Sequence, residues 1–122
     1  MSLNINMDIL FKQVQKDLSN LNGVKKSLVA SQDGYILSNT AETMLEMYAK
    51  ASAALLRTAD TATAKVGRNC SKRVVIDYPN ERLIATRAGP KALVAVITGT
   101  GTGLDSIIVE LDKAADKVRG II

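Results

Sequence analysis

The chain has no histidine, no tryptophan, one cysteine, two prolines and only four aromatic residues, three Tyr and one Phe. Without histidine there is no imidazole base. Ser/His/Asp and Cys/His catalytic sets are therefore excluded, as are Cys/His metal clusters. No catalytic, cofactor-binding or metal-binding residues are assigned. The lone Cys70 cannot close an internal disulfide and reads as a plain surface or half-buried cysteine. So few aromatics leave no stacking platform for single-stranded nucleic acid. Charge of one sign is also missing as a block. Sixteen Lys and Arg are interspersed with twelve Asp and Glu, for a net charge of +4, too mixed to imply a nucleic-acid partner. No apolar run approaches the ~20 residues of a membrane span, and there is no leader-like segment. These absences point to a cytoplasmic protein that is not inserted in a membrane and is not an enzyme.

What is present suffices for a core. Hydrophobic residues make up 47% of 122 positions, which fits one domain over residues 1–122 with an aliphatic, Ala-rich interior. Met7, Leu10, Phe11, Val14, Leu18 and Leu21 recur at helical spacing over about Ile5 to Leu21, with Asn4 or Asn6 as candidate caps. The word from Gly23 to Leu37 then packs a helix stop, a strand from Val24 to Ser31, a turn at Ser31-Gln32-Asp33-Gly34 and a return strand from Tyr35 to Leu37. A second helix is expected over about Glu42 to Val66. Asn39 and Glu42 resemble a capping box before it, and Gly67 stops it. Lys72 to Tyr78, Arg82 to Ala88 and Ala92 to Ile97 read as three more strands. Pro79-Asn80-Glu81 and Gly89-Pro90-Lys91 are the turns between them. The last strand is apolar throughout and must be covered on both faces. A final helix over about Leu104 to Val118 buries Leu104, Ile107, Ile108, Leu111, Ala115 and Val118. Gly120 follows it as a stop. The expected order is α-β-β-α-β-β-β-α, with antiparallel strand pairs and helices on both faces.

The loop Thr98-Gly-Thr-Gly-Thr-Gly103 joins a strand to a helix, where exposed backbone N–H groups attract phosphate. It departs from both phosphate-binding patterns. Leu104 stands where the dinucleotide fingerprint needs glycine, and Leu104-Asp105 stand where the phosphate loop needs Lys and Ser or Thr. Thr102 and Asp105 are better read as caps of the final helix. Asp77 and Glu81 flank a turn and are expected in solvent, as are the basic pairs Lys25-Lys26 and Lys72-Arg73. The central helix carries the strongest interaction signal. One apolar stripe runs through Leu45, Tyr48, Ala49, Ser52, Leu55, Leu56, Ala59, Ala62 and Val66. A second, through Met44, Met47, Ala51, Ala54 and Thr58, adjoins it. Glu46, Lys50, Arg57 and Asp60 fill only a narrow strip. A helix that covers one sheet needs an apolar face of about 100°, and this one is wider.

The order of elements, together with Val-Ala-Ser-Gln-Asp-Gly-Tyr-Ile-Leu at residues 29–37, Arg73-Val-Val-Ile-Asp, Leu83-Ile-Ala and Ala92-Leu-Val-Ala-Val-Ile, resembles the Roadblock domain family over roughly residues 5 to 118. The family comprises small dynein-light-chain-like and GTPase-associated modules, and the chain is similar to its prokaryotic members. The resemblance implies an α+β sandwich. A five-stranded antiparallel sheet carries one long helix on one face and the two terminal helices on the other. It also implies homodimers that pair their third strands and central helices into one ten-stranded sheet. The implied dimer interface is Met44, Met47, Tyr48, Ala51, Ala54, Leu55, Val74, Val75 and Ile76. Glu46 and Lys50 would be candidate contacts for a further partner, a small Ras-like GTPase that the dimer binds or regulates. Two readings compete: a small-molecule or phosphate sensor using the loop at 98–103, and a cytoskeletal or motor-complex adaptor.

Overall fold

The computed structural model describes residues 2–38 and 43–122, with side chains from Met7 to Ser38 and from Met44 onward. The elements are α1 (Ser2–Ser19), β1 (Val24–Ser31), α2 (Thr43–Thr63) continued by a 3-10 turn (Ala64–Val66), β2 (Arg73–Asp77), β3 (Glu81–Arg87), β4 (Ala92–Gly99) and α3 (Leu104–Ile121). The strands form one antiparallel sheet in the order β1-β4-β3-β2. β4 is central and buried from Ala92 to Thr98, as its unbroken apolar sequence requires.

The sheet has four strands, not five. The expected return strand from Tyr35 to Leu37 makes a single bridge, Ala30 to Ile36, outside the named strands. Backbone bonds from Ser31 N–H to Tyr35 O and from Leu37 N–H to Val29 O, both 2.8 Å, close the hairpin around that bridge. Ile36 packs on the α2 side and Leu37 on the α1/α3 side, so the alternation is strand-like. Only three residues lie between Gly34 and Ser38, however, and so short a segment supplies one pair and no ladder. The observed order is therefore α-β-α-β-β-β-α. The capping box read at Asn39 and Glu42 lies outside the described residues.

The two faces are covered as expected. Alternate residues of each strand point to opposite sides. Val29, Ile84, Val94 and Val96 pack against Phe11, Val14 and Leu18 of α1 and Ile107, Leu111, Ala115 and Val118 of α3. Leu28, Ala30, Leu83, Ala85, Leu93, Ala95 and Ile97 pack against Leu45, Ala49, Ala53 and Leu56 of α2. Some end residues depart from the periodic reading. Leu10 is 47% exposed, because α1 lies over the rim of the sheet and turns only one narrow face inward. Ala62 and Val66, at the end of the first α2 stripe, project past the sheet into solvent. α1 begins at Ser2, upstream of Asn4 and Asn6, and ends before Gly23. Gly23, at φ +89°, serves the turn into β1. α3 runs through Gly120 to Ile121. Its N-cap is Gly103 with no side-chain bond, so neither Thr102 nor Asp105 caps it.

Candidate interaction surface

α2 and the free edge of the sheet meet at one side of the molecule. Arg57 donates to the carbonyl of Gln32, and the Lys50 ammonium stands 5.9 Å from the centre of the Tyr35 ring. These contacts turn the polar strip of α2, with Glu46 and Lys50 exposed, toward the turn after β1. The opposite flank of the helix, Tyr48, Ala51 and Leu55, faces the β2–β3 turn. It encloses with Tyr78, Leu83 and Ile97 a groove of about 470 Å³. Between the two flanks the helix presents Met44 and Met47 to solvent. Met47 is 68% exposed, and Ala54, two turns further along α2, is half-buried. Methionine suits such an adaptable contact surface.

β2 is an edge strand. Its pairing places Val74 opposite Ala85 and Ile76 opposite Leu83, on the α2 face. Val75 lies opposite Ile84, on the α1/α3 face, and is 37% exposed. The structure thus brings Met44, Met47, Tyr48, Ala51, Ala54, Leu55, Val74 and Ile76 to one face of the edge. Val75 is on the other.

Sequence reasoning missed how the edge strand is held. Lys72 and Arg73 are not a free basic pair. Arg73 donates both terminal nitrogens to Asp112 of α3, at 2.7 and 3.3 Å, and Lys72 Nζ lies 3.5 Å from the same carboxylate. Asp77 remains exposed, but pairs with Arg82. Asp60, near the end of α2, accepts the Ser71 N–H at 2.7 Å and its hydroxyl at 2.8 Å, and is bridged by Arg87 at 2.7 Å. Arg87 also donates to the Ser71 carbonyl. This network ties α2, the strand β3 and the loop before β2 together. Arg87 and Asp60 lie 27 residues apart in the chain and Arg73 and Asp112 39 apart, so no local pattern could disclose these pairs.

Hydrogen bonds to the Ser71 backbone and hydroxyl, aided by Arg87, hold the Asp60 carboxyl below its ordinary value of 3.8. The Arg73 bond does the same for Asp112. Because both folded values are depressed, the stability they supply is fully present above the unfolded value. It is lost as pH falls through the folded ones. Unfolding by urea at stepped pH is expected to show stability dropping below about pH 4. Asp60→Asn and Asp112→Asn should be less stable at pH 7 and lose less on acidification. An equal acid loss in the variants and the parent would assign the drop to other carboxylates.

The glycine-rich loop has a structural use. Gly99 N–H donates to Gly23 O at 3.2 Å, and a Cβ on Gly23 would fall 2.0 Å from Thr102 Oγ1. The loop therefore packs onto the turn between α1 and β1. The groove beside it, lined by Gly101, Thr102, Gly103 and Ser106, also contains Glu110, and Asp105 sits in the first turn of α3. Two carboxylates oppose an anion there. Titration calorimetry with ATP, GTP and NAD is expected to give no heat of binding. A micromolar constant abolished by Gly101→Val would overturn this. Cys70 is exposed, and among the described residues no group of three metal-ligating side chains comes together. No described helix is long and apolar enough to cross a membrane.

The profile of the Roadblock/LC7 domain matches residues 10–98. The chain belongs to the Roadblock/LC7 family. No curated protein sequence matches it. Among solved structures, the Roadblock fold here is similar to "MglB with tetrameric arrangement". The two are 15% identical, over 97% of this chain and 89% of that one, with a TM-score of 0.81. The gliding protein MglB of Thermus thermophilus is 14% identical over 97% and 90% of the two chains, with a TM-score of 0.80. A Roadblock/LC7 domain from Streptomyces avermitilis is 17% identical over 93% and 94%, with a TM-score of 0.78. At such identities the likeness is one of fold; the profile match over residues 10–98 bears out the family read from the word at 29–37 and the strands that follow.

Proposed function

We propose that this Roadblock/LC7 chain is a non-enzymatic, homodimeric module of the cytoplasm that binds or regulates a small Ras-like GTPase. The observation that carries the reading is the continuity of an unpaired sheet edge, β2, with the exposed apolar face of α2. An edge with Val-Val-Ile in its middle and no proline invites a second strand. Pairing two copies there would join two four-stranded sheets into one of eight strands, not ten. It would also bring Met44, Met47, Ala51 and Ala54 of the two α2 helices together. Tyr48 and Leu55 would line the flanks of that contact. A twofold face seats one asymmetric partner once, so two protomers per GTPase is the expected stoichiometry.

The test is a pull-down with small Ras-like GTPases of the same organism, loaded with GTP or GDP. Lys50→Glu should weaken capture about tenfold while leaving the dimer intact, since Lys50 lies in the exposed polar strip. Retention of full binding in Lys50→Glu, with loss in Lys25→Glu/Lys26→Glu, would move the docking site to the outer flank.

A further inference from the structure

We propose that the two copies pair their β2 strands antiparallel about Val75, in a register selected by Arg73 and Asp77. This rests on the dimer reading above and adds to it a specific alignment and the residues that enforce it.

The direction of the backbone groups limits the possible registers. Arg87 N–H donates to Lys72 O and Tyr78 N–H to Glu81 O, both at 2.8 Å, so positions 72 and 78 turn their backbone groups toward β3. In an antiparallel ladder N–H and C=O of one residue point the same way, and the direction alternates along the strand. Positions 74 and 76 therefore also face β3, and Arg73, Val75 and Asp77 point theirs outward at the free edge. An added strand must pair odd positions with odd positions. With the twofold axis at Val75, Val75 meets its own copy and Arg73 meets Asp77 of the second copy, twice. All three outward residues of each strand then exchange both backbone bonds. Moving the axis to Ile76 sets Arg73 opposite Pro79, which has no N–H to give. Moving it to Val74 sets Arg73 against Val75 and Asp77 against Ser71, with no charge paired.

Side chains favour the same alignment. Positions 73, 75 and 77 share the α1/α3 face of the sheet. Arg73 is already oriented by Asp112, and Asp77 by Arg82. About the Val75 axis these become a line of alternating sign: Arg82, Asp77, then Arg73 and Asp112 of the second copy. Opposite charges directly across two strands stabilise and like charges destabilise. The strand Arg-Val-Val-Ile-Asp is thus complementary to itself when reversed.

The test uses the full chain and reads dimer dissociation by sedimentation equilibrium. Arg73→Asp and Asp77→Arg should each weaken self-association by roughly tenfold or more, because each sets like charges opposite at two places. Mixed in equal amounts, the two variants should form a heterodimer tighter than either homodimer, since every cross-strand pair is then of opposite sign. Arg73→Asp also faces Asp112, so a second readout leaves the charges untouched. In a Cys70→Ser background, Val75→Cys should cross-link under mild oxidation, its Cα atoms lying about 5.5 Å apart. Ile76→Cys should not, its copies lying diagonally at about 7–8 Å. A monomeric wild type would sink the dimer reading itself. A dimeric wild type in which the mixed variants show no preference for each other, or in which Ile76→Cys cross-links and Val75→Cys does not, would sink the register alone.

Discussion

Val75→Lys is expected to convert the protein from a dimer to a monomer at micromolar concentration. Val75 points its backbone groups at the free edge of β2 and leaves its side chain 37% exposed in the single chain. Nothing in the fold of one protomer requires a hydrophobic residue at that exposed position. Lysine should accordingly be tolerated by the monomer. Between paired strands it would set two ammonium groups opposite each other at the centre of the interface, a device by which natural edge strands prevent association. A rise in dissociation constant of roughly a hundredfold or more is expected, from the lost apolar contact and the like-charge pair together. Ala54→Glu should act alike from the α2 side. Equilibrium sedimentation across a concentration series provides the measurement, and circular dichroism should confirm that the variants stay folded. A wild type that sediments as a monomer at micromolar concentration, or a Val75→Lys that remains a dimer, would remove the edge strand from the assembly.

Gly34→Ala is expected to lose about 2–4 kcal/mol of stability, combining the strain of a side chain at positive φ with a steric clash. Gly34 has φ +91°, and a Cβ placed on it would lie 2.9 Å from Cα of Lys50. The obstacle is helix backbone, so α2 would have to back away from the hairpin and uncover Leu28 and Ala30 beneath Leu45 and Ala49. Gly67 is the control. Its φ is +80°, yet no atom lies within 4 Å of its added Cβ, so Gly67→Ala should cost only about 1 kcal/mol. Urea unfolding with unchanged m-values would read both. Equal losses at the two glycines would show that backbone conformation alone sets the cost and that α2 does not press on the turn.

The pair also marks where sequence reading stops. Glycine in Ser31-Gln32-Asp33-Gly34 announces a tight turn through the chemistry of the residue itself. That the same glycine lets a helix sixteen positions later approach is visible only once α2 lies over the sheet. The return strand after Gly34 shows a complementary limit. Tyr35, Ile36 and Leu37 alternate correctly and reach opposite cores, but whether a segment forms a ladder depends on how many partners it finds. This one finds a single bridge. The glycine-rich loop drew attention as a phosphate site because its spacing is tested locally. Its close fit against Gly23 is tertiary.

By itself the sequence determined the class of the protein. Missing histidine excluded whole chemistries. Period 2 and period 3.6 in the apolar residues set three helices, four of the strands and the central place of the all-apolar strand. The doubled stripe on α2 set a helix with apolar residues, Met44 and Met47, left exposed outside the core. These are properties of residue type and short-range spacing, and they survive any arrangement of the elements. Only the tertiary structure decided that β2 is held by Arg73 on Asp112, that Asp60 and Arg87 fasten the loop before it, and that Arg73, Val75 and Asp77 direct their hydrogen-bonding groups outward. Those facts come from residues far apart in the chain, or from which side of a strand its neighbour occupies. Charge, direction and exposure at an edge are consequences of packing, and no local periodicity encodes them.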